Sequence, residues 1–245
     1  MNLLELSELL LDEKQAEEYL LKVGILKTFT ACEKCGSSRI TKISRGRHRC
    51  NSCLSEWSNK KGSVLYNNNL SYSKFIGIVK CFAMDLTAIR TSHEMELEKT
   101  RPQKLYGLFR EVIGEITIER INDAILKNES PTFTIAINKN IVSIGIDDDK
   151  FLNNDLFTVK RTRIPNKEAS FSFHHSNVSA RKIKSRLKNF PISQNHFWRY
   201  ANLKLQSFRG TKLKHLYLYL KEIEFRYNNK NEKLFEKLVT KIARF

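Results

Sequence analysis

Cys32-Glu-Lys-Cys35 and Cys50-Asn-Ser-Cys53 are the residues whose type and spacing most directly offer chemistry. A Cys-x-x-Cys knuckle bends tightly enough to aim two thiolates at one tetrahedral ion, and two knuckles complete a four-cysteine ligand set. Fourteen residues separate Cys35 from Cys50, the length of a β-hairpin. Ile40 and Ile43 supply its apolar strand positions, Ser44-Arg45-Gly46-Arg47 supplies a turn, and His48-Arg49 leads back into the second knuckle. A redox dithiol pair and two disulfides are the alternatives. The chain shows no secretory signal, and reduced thiolates in this pattern are normally metal-bound, so structural Zn2+ on Cys32, Cys35, Cys50 and Cys53 is the expectation. The fifth cysteine, Cys81, sits in an apolar helical stretch and reads as a small core residue.

The hairpin carries Arg39, Lys42, Arg45, Arg47, His48 and Arg49, and its charge belongs to a wider pattern. The formal net charge is +17 over 245 residues, yet residues 1–30 hold six acids against three lysines. The remainder therefore carries a net charge of +20. A body with that excess is suited to a polyanion, nucleic acid first. A membrane surface is the competitor, but no apolar run approaches the span of a bilayer and neither end bears a lipidation signal. A bacterial cytoplasmic, nucleoid-associated location follows as an expectation, with double-stranded DNA as partner, no membrane, and a homodimer compatible with the sequence.

Four regions position these groups. Residues 1–28 read as helical: Asp12 can cap a helix with Ala16, Tyr19, Leu20 and Val23 on one face and Gly24 at its end, its acidic outer face suited to packing or a partner rather than to DNA. The ribbon spans 29–58, with Trp57 on its back, and a polar linker is expected over 59–70. Residues 71–127 read as a helix-turn-helix domain, with helices at about Ser71–Met84 and Thr87–Glu94 and a third beginning at Thr100, a good N-cap. Leu105, Leu108, Phe109 and Val112 give that third helix an inward face. Arg101, Gln103, Lys104 and Arg110 offer side chains that reach phosphates and base edges. Glu96 stands where such a turn commonly has glycine.

Beyond Lys127–Ser130 the pattern turns to strands. Thr132–Ile137 and Ile141–Ile146 are rich in β-branched residues, and the second runs into Asp147-Asp148-Asp149. An apolar strand ending in acids is a common start to a metal-dependent phosphoryl-transfer site; an acidic turn is the plainer reading. From Ala169 to Lys221 there is no Asp or Glu against eleven Lys and Arg. Residues 180–188 suit a basic helix presenting Lys184 and Arg186, and a helix is expected over 195–207. Leu213, Leu216, Tyr217, Leu220, Ile223 and Tyr227 form a helical core stripe, and a last helix covers about Glu232–Arg244.

In this order, several stretches resemble bacterial insertion-sequence transposases with a DDE-type RNase H-like domain, kin to the eukaryotic Merlin elements. They are Asp12-Glu13 through Tyr19-Leu20, the two knuckles, Phe197-Trp198-Arg199-Tyr200 with Phe208-Arg209-Gly210, and Leu220 through Asn228 with its Glu-x-x-x-Arg-Tyr-Asn. The resemblance implies a truncated RNase H-like domain over 131–245 and cleavage of DNA ends with transfer of a 3′-hydroxyl end into target DNA. It also implies Mg2+ held by two aspartates and a third polar ligand. Asp147 matches the first aspartate, and Asn195 stands where the third ligand, normally Glu, falls. Only fifty residues separate Asp147 from Trp198, with Asp148, Asp149, Asp155 and Glu168 as the remaining acids, so the middle of the catalytic domain is shortened. The expected whole is an α+β multi-domain protein that recognises element ends with an incomplete catalytic site. The alternatives are an active transposase with an altered Mg2+ site and a zinc-ribbon transcriptional regulator.

Overall fold

The computed structural model describes residues 3–66, 68–115, 132–138, 141–147, 159–160, 168–172, 197, 200–201, 203–204 and 213–245. These form an α+β protein divided into two compact units, Met1–Phe109 with Lys233–Phe245, and Arg110–Glu232. The first unit is therefore discontinuous in sequence. The divide falls within the expected helix-turn-helix domain and assigns the last helix to the N-terminal unit.

In the first unit, helices α1 (Leu3–Leu11) and α2 (Glu13–Lys22) meet at Asp12. The Asp12 carboxylate accepts from the backbone N–H groups of Lys14 (2.8 Å) and Gln15 (3.3 Å), two of the donors a helix start leaves unpaired. Those bonds, Lys14 first, hold its carboxyl below the ordinary value. Helix α2 ends as its sequence requires: Gly24 takes φ +82°, Gly24 N–H donates to the Leu21 carbonyl, and Ile25 N–H donates to that of Leu20.

A three-stranded antiparallel sheet follows, β1 (Ile40–Ile43), β2 (Arg47–Cys50) and β3 (Glu56–Ser58), with a 3-10 turn at Ser44–Gly46. Residues 59–70 are not the free linker that their polarity suggests. Asn59, Leu65 and Leu70 are buried, and the Lys60 ammonium donates to the carbonyls of Asn68 (3.0 Å) and Leu70 (2.7 Å) while lying 5.1 Å over the Tyr72 ring. A half-buried lysine that satisfies two carbonyls turns a polar segment into a fold-back.

Helices α3 (Tyr72–Ala83), α4 (Ala88–Glu94) and α5 (Thr100–Gly114) come next. Ser71 and Thr87 cap the first two, accepting from Lys74 N–H (3.3 Å) and Arg90 N–H (3.2 Å). Helix α5 begins at Thr100 itself, with Pro102 in its first turn, where a missing N–H costs nothing. The core is aromatic: Phe82 meets Tyr106 and Phe109 edge-on at 4.8 and 5.4 Å, and Phe75 meets Phe109 at 6.1 Å. Thr91 and Tyr106 hydroxyls bond at 2.7 Å, tying α4 to α5. The turn between them needs a left-handed residue, and Glu96 supplies it at φ +51°, with Leu97 N–H donating to the Ser92 carbonyl. The geometry that usually calls for glycine is thus present without one. Cys81 is only partly buried. The C-terminal helix, numbered α7 below, packs on α3 through buried Phe235, Leu238, Val239 and Ile242.

In the second unit, β4 (Thr132–Asn138), β5 (Ile141–Asp147), β6 (Val159–Lys160) and β7 (Glu168–Ser172) form a sheet of order β5-β4-β7-β6. All three pairings are antiparallel. The described strands thus show α+β rather than α/β organisation, since parallel strands require crossovers that antiparallel neighbours do not. Helix α6 (Leu213–Asn228) packs against β5 and buries Tyr217, Leu218, Leu220, Ile223 and Phe225; α7 spans Leu234–Arg244. The expected helix over 180–188 lies outside the described residues. From 195–207 only Phe197, Tyr200, Ala201, Leu203 and Lys204 are described, all helical. Among the described residues, no helix is long and apolar enough to cross a membrane.

A candidate metal centre and a candidate nucleic-acid interface

The two knuckles repeat one backbone arrangement. Gly36 N–H donates to the Cys32 carbonyl (2.8 Å) and Cys32 N–H to that of Ser37 (2.9 Å). In the second knuckle, Leu54 N–H donates to the Cys50 carbonyl and Cys50 N–H to that of Ser55, both at 2.9 Å. Gly36 (φ +70°) and Leu54 (φ +59°) occupy the same left-handed position. The underlying repeat is Cys-x-x-Cys-x-Ser, so each serine is legible in the sequence as part of the motif.

This backbone brings all four sulfurs within 4.8 Å of one another. Cys32 and Cys53 Sγ are 3.6 Å apart, as are Cys35 and Cys50 Sγ. Disulfides are excluded at that separation, since bonded sulfurs lie about 2.05 Å apart. Thiolates about 2.3 Å from a tetrahedral Zn2+ would stand about 3.8 Å apart, close to what is seen. The Ser55 hydroxyl lies 3.3 Å from Cys32 Sγ and 3.1 Å from Cys53 Sγ. Its hydrogen bond draws the Cys32 thiol down to about 6 and lowers that of Cys53. At Cys35, the Ser37 backbone N–H favours the thiolate, but the neighbouring Cys53 and Cys50 outweigh it and push the thiol up to about 12. Four clustered thiols share protons because four negative charges repel; a dication removes that conflict, so the donor set fits a metal ion such as zinc.

The hairpin's basic residues divide by strand alternation. Arg39 and Arg49 are exposed. Arg47 is exposed and pairs with Glu56 at 2.9 Å, and Lys42 pairs with Glu17 at 3.3 Å. His48 alternates with Arg47 and Arg49 and shares the face of its register partner Lys42, lying 6.0 Å from Trp57 in a stacked arrangement and 5.3 Å from Phe29. Burial, then Lys42, lowers its pKa, so it is part of the ribbon's aromatic packing rather than its positive surface. Trp57 packs as expected, though its buried Nε1 finds no partner among the described residues. Arg45 lies in the 3-10 turn; its side chain is outside the described structure.

Arg101, Gln103 and Lys104 are exposed on the first turn of α5. Arg110 does not belong with them. Its Nε donates to Glu222 at 2.6 Å, its guanidinium lies 4.4 Å over Tyr219, and Arg226 Nε donates to the other Glu222 oxygen at 2.8 Å. Burial pushes the Glu222 carboxyl up, but the two guanidiniums outweigh it and hold it below the ordinary value. The Glu-x-x-x-Arg signature is therefore a buried ion pair within the second unit. Its i,i+4 spacing suits such a pair, whereas nothing local points to Arg110 as third member.

Asp147 ends β5, in register with Thr132. Glu168, at the start of β7, is in register with Ala136. Four residues of β4 separate those positions, about 13 Å along the strand, and two strand spacings add about 10 Å across it. The register thus places these acids too far apart to share a metal pair. Lys184, Arg186, Asn195, Asp148 and Asp149 lie outside the described residues. No family model matches the chain, and neither a curated protein nor a solved structure does.

Proposed function

We propose that this protein is a DNA-binding member of the insertion-sequence transposase lineage, which holds element ends through a Zn2+ ribbon and a helix-turn-helix. The observation that carries this reading is the exposure of Arg101, Gln103 and Lys104 on the first turn of α5, directly after the left-handed turn at Glu96. The N-terminal residues of a recognition helix are those that meet base edges in the major groove. Exposed Arg39 and Arg49 on the ribbon and the net charge of +17 support a phosphate-binding surface around them. A truncated RNase H-like origin for the second unit is supported by an apolar strand that ends in Asp147 and by the resemblance of residues 197–228; the antiparallel register does not argue for it.

The reading assigns binding without cutting. Of the two acids on the described strands of the second unit, the register keeps Glu168 too far from Asp147 to share its metal, whereas a two-metal site clamps two Mg2+ ions about 4 Å apart among several ligands. The acid-free stretch from Ala169 to Lys221 would repel metal and attract phosphate. Were Mg2+ bound, Asp147 and Asn195 would be the ligands to hold it. The test has two parts. Selection from a random duplex pool should enrich a defined sequence, and Arg101→Ala or Gln103→Ala should weaken that preference by about 1–3 kcal/mol, whereas Lys184→Ala or Arg186→Ala should weaken binding to all sequences alike. Incubating the selected duplex with Mg2+ or Mn2+ should give no cleavage; products abolished by Asp147→Ala would restore the active-transposase reading.

A further inference from the structure

Two of the three acids of α2, Glu13 and Glu17, are fasteners rather than members of a solvated face turned away from DNA. Glu13 and Glu17 are one helical turn apart, and each grips a different neighbour. Glu13 accepts from the backbone N–H groups of Tyr72 (2.6 Å) and Ser73 (3.1 Å) and from the Ser73 hydroxyl (2.8 Å), occupying the start of α3. Glu17 Oε1 accepts from Asn59 Nδ2 at 2.8 Å and from the Lys42 ammonium at 3.3 Å, both on the ribbon side. Asn59 is itself buried, and its backbone N–H donates to the Gly46 carbonyl at 2.9 Å. Gly46 has no freedom to be another residue there: its φ is +64°, and a Cβ would stand 3.0 Å from Asn59 Nδ2. Beyond Asn59 in the chain, Lys60 holds the Asn68 and Leu70 carbonyls, so the path from ribbon to α3 is folded back on itself.

From these contacts we infer that Glu13 and Glu17 are positioning residues that lock the ribbon and the helix-turn-helix into one reading head. The DNA such a head takes is a duplex carrying two contact tracts at one fixed spacing. The inference rests on the proposed function and adds to it a specificity rule. A free twelve-residue tether over 59–70 would reach about 40 Å, more than the roughly 34 Å of one DNA turn. A tethered ribbon would therefore follow its tract by a whole turn. A locked ribbon cannot.

The experiment uses the full chain and the duplex selected above, with 5 or 10 base pairs inserted between the two protected tracts. Five pairs rotate one tract to the opposite face of the duplex, and ten restore the face but displace it by a turn. The locked head should lose about tenfold or more in affinity for both insertions. Glu13→Ala/Glu17→Ala/Lys60→Ala, which releases both joints and the Lys60 fold-back, should recover binding to the 10-base-pair insertion alone, whereas Glu13→Gln/Glu17→Gln with Lys60 kept should behave as the unaltered chain does. Unaltered protein that tolerates ten extra pairs, or that protects a single continuous tract, overturns the inference while leaving DNA binding intact. A pool from which nothing is enriched defeats the DNA reading and this inference together. The spacing profile of the unaltered chain decides the matter even if the alanine variant fails to fold.

Discussion

Glu96 and Leu54 both hold left-handed backbone, at φ +51° and +59°, and both are exposed, so neither side chain offsets its strain by burial. That conformation costs a residue with a Cβ about 1–2 kcal/mol, partly offset by the larger entropy glycine has when unfolded. Glu96→Gly and Leu54→Gly should each raise stability by roughly 0.5–1 kcal/mol, seen as a higher denaturant midpoint at unchanged slope; Glu96→Ala, still strained, should not. Glu222 sits at the other extreme. It is buried between Arg110 and Arg226, so Glu222→Ala removes the carboxylate that both guanidiniums share and should cost about 3–5 kcal/mol. Its folded pKa is lowered from 4.5, so its contribution is full above that value and lost as pH falls through the lower folded value. Acid titration of unfolding should therefore show a loss of stability that the Glu222→Gln chain lacks. The i,i+4 partner was legible in sequence because helix geometry dictates it. Arg110 was not, because its distance of over a hundred residues in sequence carries no local period.

At the scale of elements, local signals worked where one residue decides one backbone group. Asp12 caps where the sequence places a cap, Ser71 and Thr87 cap helices expected to start near them, and Thr100 is the first residue of α5 rather than its cap. Both Cys-x-x-Cys knuckles form because their spacing leaves the chain few alternatives. The segment 59–70 shows where such signals stop. Its Lys, Asn and Ser residues read as solvent-facing, but Lys60 satisfies carbonyls and Asn59 meets Glu17, partners that only the folded chain brings near. The coupling changes what metal removal should do. Ligand binding energy in such ribbons is largely folding energy, so chelation should abolish the β1–β3 sheet. Because Glu17 fastens that sheet to α2, amide exchange should also quicken in α2 and at the start of α3, while α6 in the second unit keeps its protection. Metal analysis should find one zinc per chain; freely reactive thiols in the folded, metal-replete protein would defeat the four-cysteine centre.

At the scale of the whole molecule, the chain leaves its first unit at Phe109 and returns to it at Lys233. Helix α5 runs through the departure without a break, and α7 completes the return by laying Phe235, Leu238, Val239 and Ile242 on α3. The sequence leads to a last helix over about Glu232–Arg244, but not to the element it covers, since periodicity gives a helix its buried face without naming the neighbour. The arrangement makes the last thirteen residues part of the N-terminal core. Burying four such side chains is worth about 6–12 kcal/mol at roughly 1.5–3 kcal/mol each, comparable with the entire stability of a small domain. A chain ending at Glu232 should therefore lose cooperative unfolding of the first unit, although it retains every cysteine and every exposed residue of α5. A peptide of residues 233–245 added in trans should restore the transition in proportion to its concentration, as for any ligand that binds only the folded state. Leu238→Asp in that peptide, which places a charge at the most deeply buried of the four positions, should remove the rescue. Should the truncated chain unfold cooperatively at the same midpoint as the full one, α7 is an appendage and the first unit closes on its N-terminal residues alone.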